Sequence, residues 1–297
     1  MSGLGIEGVY AAAITPRRQG SSAVDLGAML DVIDFLCGAG VNGITLFGST
    51  GEFPHFTLEE RQKLVNLAVR RSRVPVIVNV SHSTLDGAVE LAEAAAYDGA
   101  RAVALLPPYY FRYNQPEIRA FYEGFAKETG GRVPRLLYNI PVFASPLAAS
   151  TARELIGAGL YQGIKDSSGD PAYFRALNGA GTFLVGNDAI FAELRAQGAS
   201  GAVSGVAAAV PELLLGLDGA VCAGDHGRRE RLERRMSEFL TWIESFPAPI
   251  GIKEAAALRG LKPGPHAMPL PPEMEARLAA FRAWFRAWLP EVRKDAP

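Results

Sequence analysis

Residues 161–170 read YQGIKDSSGD. A short apolar run carrying Gly163 and Ile164 ends in Lys165 and opens into the polar loop Asp166-Ser167-Ser168-Gly169. The plain reading is a strand that has reached the surface, because lysines are mostly solvated. The sharper reading is an amine held in a pocket, where it acts as a nucleophile. The choice depends on what the rest of the chain builds around this run.

Seven other runs have the same strand-like form: Val9–Ile14, Gly43–Phe47, Val76–Val80, Ala102–Leu106, Arg135–Asn139, Thr182–Val185 and Gly201–Ser204. Several are almost wholly apolar, as strands covered on both faces should be. Helical patterns lie between them. Leu26, Met29, Leu30, Ile33 and Leu36 recur at helical spacing. Thr57–Glu60 and Thr151–Glu154 read as capping boxes that open helices. Eight strands, each followed by a helix, give the period of an α/β protein of the (β/α)8 TIM barrel type. A doubly wound open sheet is the alternative, and the count of eight favours closure. After Cys222 the strands stop. Arg228–Glu244, Ile252–Arg259 and Glu273–Leu289 read as amphipathic helices, and the five prolines of 263–272 mark a loop. The expected organisation is a catalytic barrel over 1–223 and a C-terminal helical region over 224–297.

Composition narrows the classes of function. The chain has 297 residues, 48% hydrophobic and 21% charged, which is ordinary for a globular protein. A net charge of −1 offers no excess to neutralise phosphates, so nucleic acid is not the expected partner. No run of 18 apolar residues and no signal-peptide pattern is present, so no membrane association and a cytoplasmic location are expected. Cys37 and Cys222 sit far apart in apolar surroundings and are expected to be small buried hydrophobes. The four histidines show no metal-ligand spacing, so neither metal nor cofactor is expected. Two G-x-G-x-x-G matches, at 3–8 and 38–43, stand before strands rather than after them and read as turn glycines.

A barrel places its active site at the C-terminal ends of its strands. Strand two ends in Gly48-Ser49-Thr50-Gly51-Glu52, a tight turn able to hold a carboxylate with amides and hydroxyls. Strand four ends in Pro107-Pro108-Tyr109-Tyr110-Phe111, and strand five in Tyr138-Asn139-Ile140-Pro141. Strand six ends in Lys165, strand seven in Gly186-Asn187-Asp188 and strand eight in Val203-Ser204-Gly205. Burial disfavours an ammonium, so an amine at such a place can attack a ketone and form a Schiff base. The departing water needs a proton shuttle, which a phenol such as Tyr138 supplies. The lysine, the phenol and the anion-holding turn fall on one barrel face, and the nucleophile reading of Lys165 prevails.

The set Gly48-Ser49-Thr50-Gly51-Glu52, Tyr138-Asn139-Ile140-Pro141 and Gly163-Ile164-Lys165-Asp166 resembles the dihydrodipicolinate synthase / N-acetylneuraminate lyase family over roughly residues 7–290. The resemblance implies pyruvate as the common substrate or product, bound as a Schiff base, with an aldehyde or a 2-keto-3-deoxy acid as the other partner. It implies a homotetramer built of tight dimers. Position by position it makes Lys165 the imine-forming lysine and Tyr138 the proton carrier. It makes Ser49 and Thr50, in the turn opened by Gly48, the binders of the pyruvate carboxylate, with Ser49 also in the proton relay. Tyr110 matches a tyrosine that reaches across a dimer interface to complete that relay, and Val203 matches a residue whose carbonyl lines the site. Loops carrying Ser167, Asn187, Asp188 and Phe143 are expected to choose the aldehyde. Phe143 stands where the synthase branch has an arginine that grips the carboxylate of aspartate semialdehyde, and it cannot supply a charged fork. The expectation is therefore an aldolase of sugar-acid type. A 2-keto-3-deoxy acid dehydratase, a 4-hydroxy-tetrahydrodipicolinate synthase and a non-catalytic keto-acid binder are its rivals.

Overall fold

The computed structural model describes residues 4–296. Its eight strands are β1 (Gly8–Ala12), β2 (Gly43–Leu46), β3 (Val76–Asn79), β4 (Ala102–Leu105), β5 (Arg135–Asn139), β6 (Gly163–Asp166), β7 (Thr182–Val185) and β8 (Gly201–Ser204). All pair in parallel, and β8 returns to β1 to close the barrel. The helices α1 (Leu26–Ala39), α2 (Leu58–Arg71), α3 (Leu85–Asp98) and α4 (Gln115–Thr129) follow the first four strands. The helices α5 (Ala149–Gly157), α6 (Pro171–Leu177), α7 (Phe191–Ala196) and α8 (Pro211–Ala223) follow the rest. Beyond them come α9 (His226–Ile243), α10 (Ile250–Leu258) and α11 (Pro272–Asp295).

Strand residues are buried almost throughout, which accounts for their unbroken apolar runs. The helices bury one stripe each. On α2, Leu64, Val65 and Ala68 face inward, while Lys63 and Glu59 pair on the exposed side at 2.6 Å. Burying one leucine contributes about 1.5–3 kcal/mol. An exposed pair four residues apart contributes about 0.3–0.5 kcal/mol. Apolar packing therefore holds the helix to the barrel.

The Thr57–Glu60 capping box forms as expected. The Thr151–Glu154 box does not. The helix α5 starts earlier, after Ala148, and the Thr151 hydroxyl instead donates to Gln115 Oε1 at 2.9 Å, a bond from outside its own segment. Asn114–Glu117 forms a box that opens α4. The cysteines also depart from expectation. Cys37 is half-buried with Sγ 3.8 Å from Ser72 Oγ, and Cys222 is exposed beside Arg195. The buried stripe of α8 runs through Leu213, Leu214, Leu217 and Ala220, and Cys222 lies outside it.

Aromatic packing joins α9 to α11. Phe239 stacks on Trp288 at 5.3 Å, and Phe281 and Phe285 close around it. This packing carries the end of α9 and the start of α10 over the C-terminal mouth of the barrel, where Leu240, Ile243 and Ile252 reach a cavity.

Candidate active site

A cavity of about 310 Å³ opens at the C-terminal ends of the strands. Lys165 lies in its floor, 6% exposed. The register explains its neighbours. Tyr138 on β5 pairs directly with Lys165 on β6, so both side chains leave the sheet on the same face. The Lys165 amine sits 3.9 Å from the centre of the Tyr138 ring. The Tyr138 hydroxyl shares a hydrogen bond of 3.1 Å with Ser49 Oγ. An amine over the phenol ring and a hydroxyl bonded to the phenol oxygen are thus brought together in one cavity.

The glycines that follow β7 and β8 give these groups their space. A Cβ on Gly186 would lie 2.1 Å from Ser167 Oγ and 2.7 Å from Lys165 Cε. Any side chain there would displace the lysine stem. A Cβ on Gly205 would stand 3.2 Å from Thr50 Oγ1 and crowd the turn from the other side. Both glycines follow strand ends in the sequence.

The turn after β2 is bracketed by two residues with left-handed backbone, Phe47 at φ 56° and Glu52 at φ 53°. Such residues cost on the order of 1–3 kcal/mol each and persist where the surroundings hold them. Asn79 Nδ2 donates to Phe47 O at 2.6 Å. Gly51 N donates to Gly48 O at 3.0 Å and Glu52 N to Ser49 O at 3.1 Å, closing the turn on itself. Ser49 and Thr50 line the cavity. Gly48, expected beside them, does not border the cavity; its carbonyl accepts from Gly51 N inside the turn.

Ser167, Asn187, Asp188 and Val203 all line the cavity. Ser167 Oγ is buried with no hydrogen-bond partner among the described residues. Asp188 Oδ2 accepts from Val206 N at 3.2 Å, while its Oδ1 is likewise buried and unpartnered. Burial pushes the Asp188 carboxyl up to about 6, against hydrogen bonds from Ser204 and Val206 and the nearby charge of Lys165. Behind the lysine, Asp166 accepts from Asn139 Nδ2 and Ser168 Oγ at 2.7 Å each, which fixes the ends of β5 and β6. Burial also raises the Asp166 carboxyl, partly offset by those same bonds.

Two expected residues stand elsewhere. Phe143 lines an adjoining pocket with Ser49, Tyr109 and Pro249 and is 55% exposed, because the loop after β5 turns outward there. Tyr110 is 88% exposed at φ 82°, edge-on to Phe111, and borders neither space. Within one chain it cannot reach the Tyr138–Ser49 pair. The sequence reading missed the far wall, formed by Leu240, Ile243, Phe246, Pro249 and Ile252. Among the described residues, no three His, Cys, Asp or Glu side chains are placed to hold a metal, and no helix is long and apolar enough to cross a membrane.

A closed (β/α)8 barrel with a buried lysine, a phenol and a hydroxyl at its C-terminal mouth defines a class of barrel enzymes. Comparison with known proteins places the chain within that class. Residues 5–287 match the model of the dihydrodipicolinate synthetase family, and the chain belongs to that family of pyruvate lyases and aldolases. It is 30% identical over 285 residues to the 4-hydroxy-tetrahydrodipicolinate synthase of Methanoculleus marisnigri, covering 93% of this chain and 97% of that one. The synthase structure from Methylacidiphilum fumariolicum SolV superposes with a TM-score of 0.88 at 25% identity, covering 98% of this chain and 100% of that one. The chloride-inhibited dihydrodipicolinate synthase of Acinetobacter baumannii, solved with pyruvate, gives 0.85 at 26%, covering 97% and 99%.

Proposed function

We propose that the protein is a Schiff-base lyase that cleaves or forms the carbon–carbon bond between pyruvate and an aldehyde. One observation carries the reading: the Lys165 amine lies against Tyr138, whose hydroxyl is bonded to Ser49, inside one cavity. Lys165 attacks the C2 carbonyl of a 2-keto acid. The Tyr138–Ser49 pair delivers the proton with which water leaves, giving the imine. In the cleavage direction the C4 hydroxyl gives its proton to Tyr138 as the C3–C4 bond breaks. The bonding electrons move into the imine, leaving an enamine, and the aldehyde departs. Protonation of the enamine carbon and hydrolysis release pyruvate and the free lysine. Ser49 and Thr50 hold the carboxylate, while Ser167 Oγ and Asp188 Oδ1 are unpartnered acceptors and donors for the rest of the substrate.

The branch we favour is a 2-keto-3-deoxy sugar acid or an N-acetylneuraminate-like substrate, with Phe143 in place of a carboxylate-gripping cation. The rival is 4-hydroxy-tetrahydrodipicolinate synthesis, favoured by the name of the Methanoculleus relative. A cytoplasmic homotetramer of tight dimers, in which Tyr110 of a second copy joins the relay, completes the proposal. The test is a panel of 2-keto-3-deoxy acids, assayed for pyruvate release, beside the condensation of pyruvate with aspartate semialdehyde. Pyruvate release by a panel member is the expected result. Efficient use of the semialdehyde alone overturns the branch, and loss of water without pyruvate release assigns a dehydratase.

A further inference from the structure

The two ends of the Ser49–Thr50 turn are held differently. At the Phe47 end a neutral amide and the stacked Arg61 guanidinium, 5.3 Å from the ring, do the holding. At the Glu52 end the holding is ionic and buried. The Glu52 carboxylate, 6% exposed, accepts from Lys253 Nζ at 2.9 Å, and Arg17 Nη2 lies 3.8 Å from its other oxygen. Lys253 is 1% exposed and Arg17 4%. Two cations therefore face one carboxylate in a place with little water.

Such a cluster is a poor way to gain stability. Removing these charges from water costs much of what their attraction returns, and apolar side chains of similar volume would hold the same space as well. Its location suggests another purpose. Glu52 is the second residue after Thr50, at the point where the turn leaves the cavity. Lys253 follows Gly251 and Ile252, which line the opposite wall, and it also reaches Pro265 O at 3.4 Å in the proline-rich loop. One ion pair thus joins the anion-holding turn to the C-terminal wall, across 201 residues of sequence. Burial lowers the proton affinity of Lys253, and Glu52 partly restores it. The Nε and Nη2 atoms of Arg17 are buried and without hydrogen-bond partners among the described residues; Nη2 faces Glu52 and the guanidinium lies over the Phe56 ring, 4.6 Å from its centre.

We propose that Glu52 and Lys253 are positioning residues: their buried ion pair sets the Ser49–Thr50 turn in the geometry that receives the carboxylate of the keto acid. Neither touches substrate, and both act through the turn. The proposal rests on reading that turn as the carboxylate site.

The test uses the full-length protein and needs no knowledge of the aldehyde. Pyruvate is titrated in the presence of borohydride, and labelling of Lys165 is followed by mass spectrometry. Two quantities result: the pyruvate concentration giving half-maximal labelling and the labelling reached at saturation. Glu52→Gln combined with Lys253→Met removes both charges at nearly constant volume. Glu52→Asp keeps both charges and shortens the reach by one methylene. Loss of one charge-assisted contact corresponds to about a tenfold rise in the half-maximal concentration, with labelling at saturation unchanged. Lys253→Arg, which keeps the charge, should stay near the parent value. A folded double variant or Glu52→Asp variant that matches the parent half-maximal concentration overturns the proposal. Failure of both to fold assigns the pair to stability alone and also overturns it. A parent protein that pyruvate does not label at all overturns the reading of the site, and this proposal with it.

Discussion

Tyr138 is held by its ring against the lysine and by its hydroxyl against Ser49, and only the second contact is a hydrogen bond along which the proposed proton relay could run. Tyr138→Phe keeps the first and deletes the second. Turnover should fall by about 10²–10⁴-fold, the usual worth of a general acid–base group, with the melting temperature nearly unchanged. A rate within a small factor of the parent would remove Tyr138 from the relay. Asp188 makes a different prediction. Its folded-state carboxyl titrates at about 6, above the ordinary 3.8, because burial disfavours the charge. Between those values the folded protein keeps a proton that the unfolded chain has released. Stability contributed there is present below the ordinary value and lost as pH rises toward about 6. Asp188→Asn should flatten that decline in chemical-denaturation free energies measured across the window. An unchanged slope would show that the burial of Asp188 does not govern its titration.

At the scale of elements, the strand ends were legible and the far wall was not. Apolar runs marked all eight strands, and the rule that barrels act at their C-terminal ends then pointed to Lys165, Tyr138, Ser49 and Asp188 without knowledge of contacts. Leu240, Ile243 and Ile252 carry no comparable mark, since an apolar residue at a cavity wall reads like one in a core. The Glu52–Lys253 pair was hidden because its partners lie far apart in sequence and each alone looks like a surface charge. Thr151 shows the opposite failure: a sound local pattern lost to Gln115, a partner on another helix. The loop after β5 also modifies an expectation. A buried apolar pocket would charge a carboxylate-bearing aldehyde about 2–5 kcal/mol. Phe143 is more than half exposed and sits beside the cavity rather than in it, so solvent screening reduces that penalty. Phe143→Arg should therefore raise kcat/KM for aspartate semialdehyde only by about fivefold, the worth of a partly exposed ion pair. No gain would mean that position 143 does not select the aldehyde.

At the scale of the whole molecule, the loops after β4 and β5 form one surface. Arg112 Nη1 donates to Ala144 O at 3.2 Å, and Tyr113 N donates to Ser145 Oγ at 2.9 Å. On that surface Tyr110, Phe111, Val142 and Phe143 are all exposed, an apolar grouping of the kind that marks association. Sedimentation velocity at micromolar concentration should find an assembly larger than the monomer, and Tyr110→Asp should weaken both that assembly and turnover. A monomeric parent with full activity would contradict the role given to Tyr110. The proposed chemistry turns on one covalent bond, between Lys165 and C2 of pyruvate. The protein is incubated with pyruvate and borohydride, digested, and its lysines compared by mass spectrometry. A single reduced pyruvate adduct is expected, on Lys165 and absent from a folded Lys165→Ala variant. An adduct on a different lysine, or none on the parent, would contradict it.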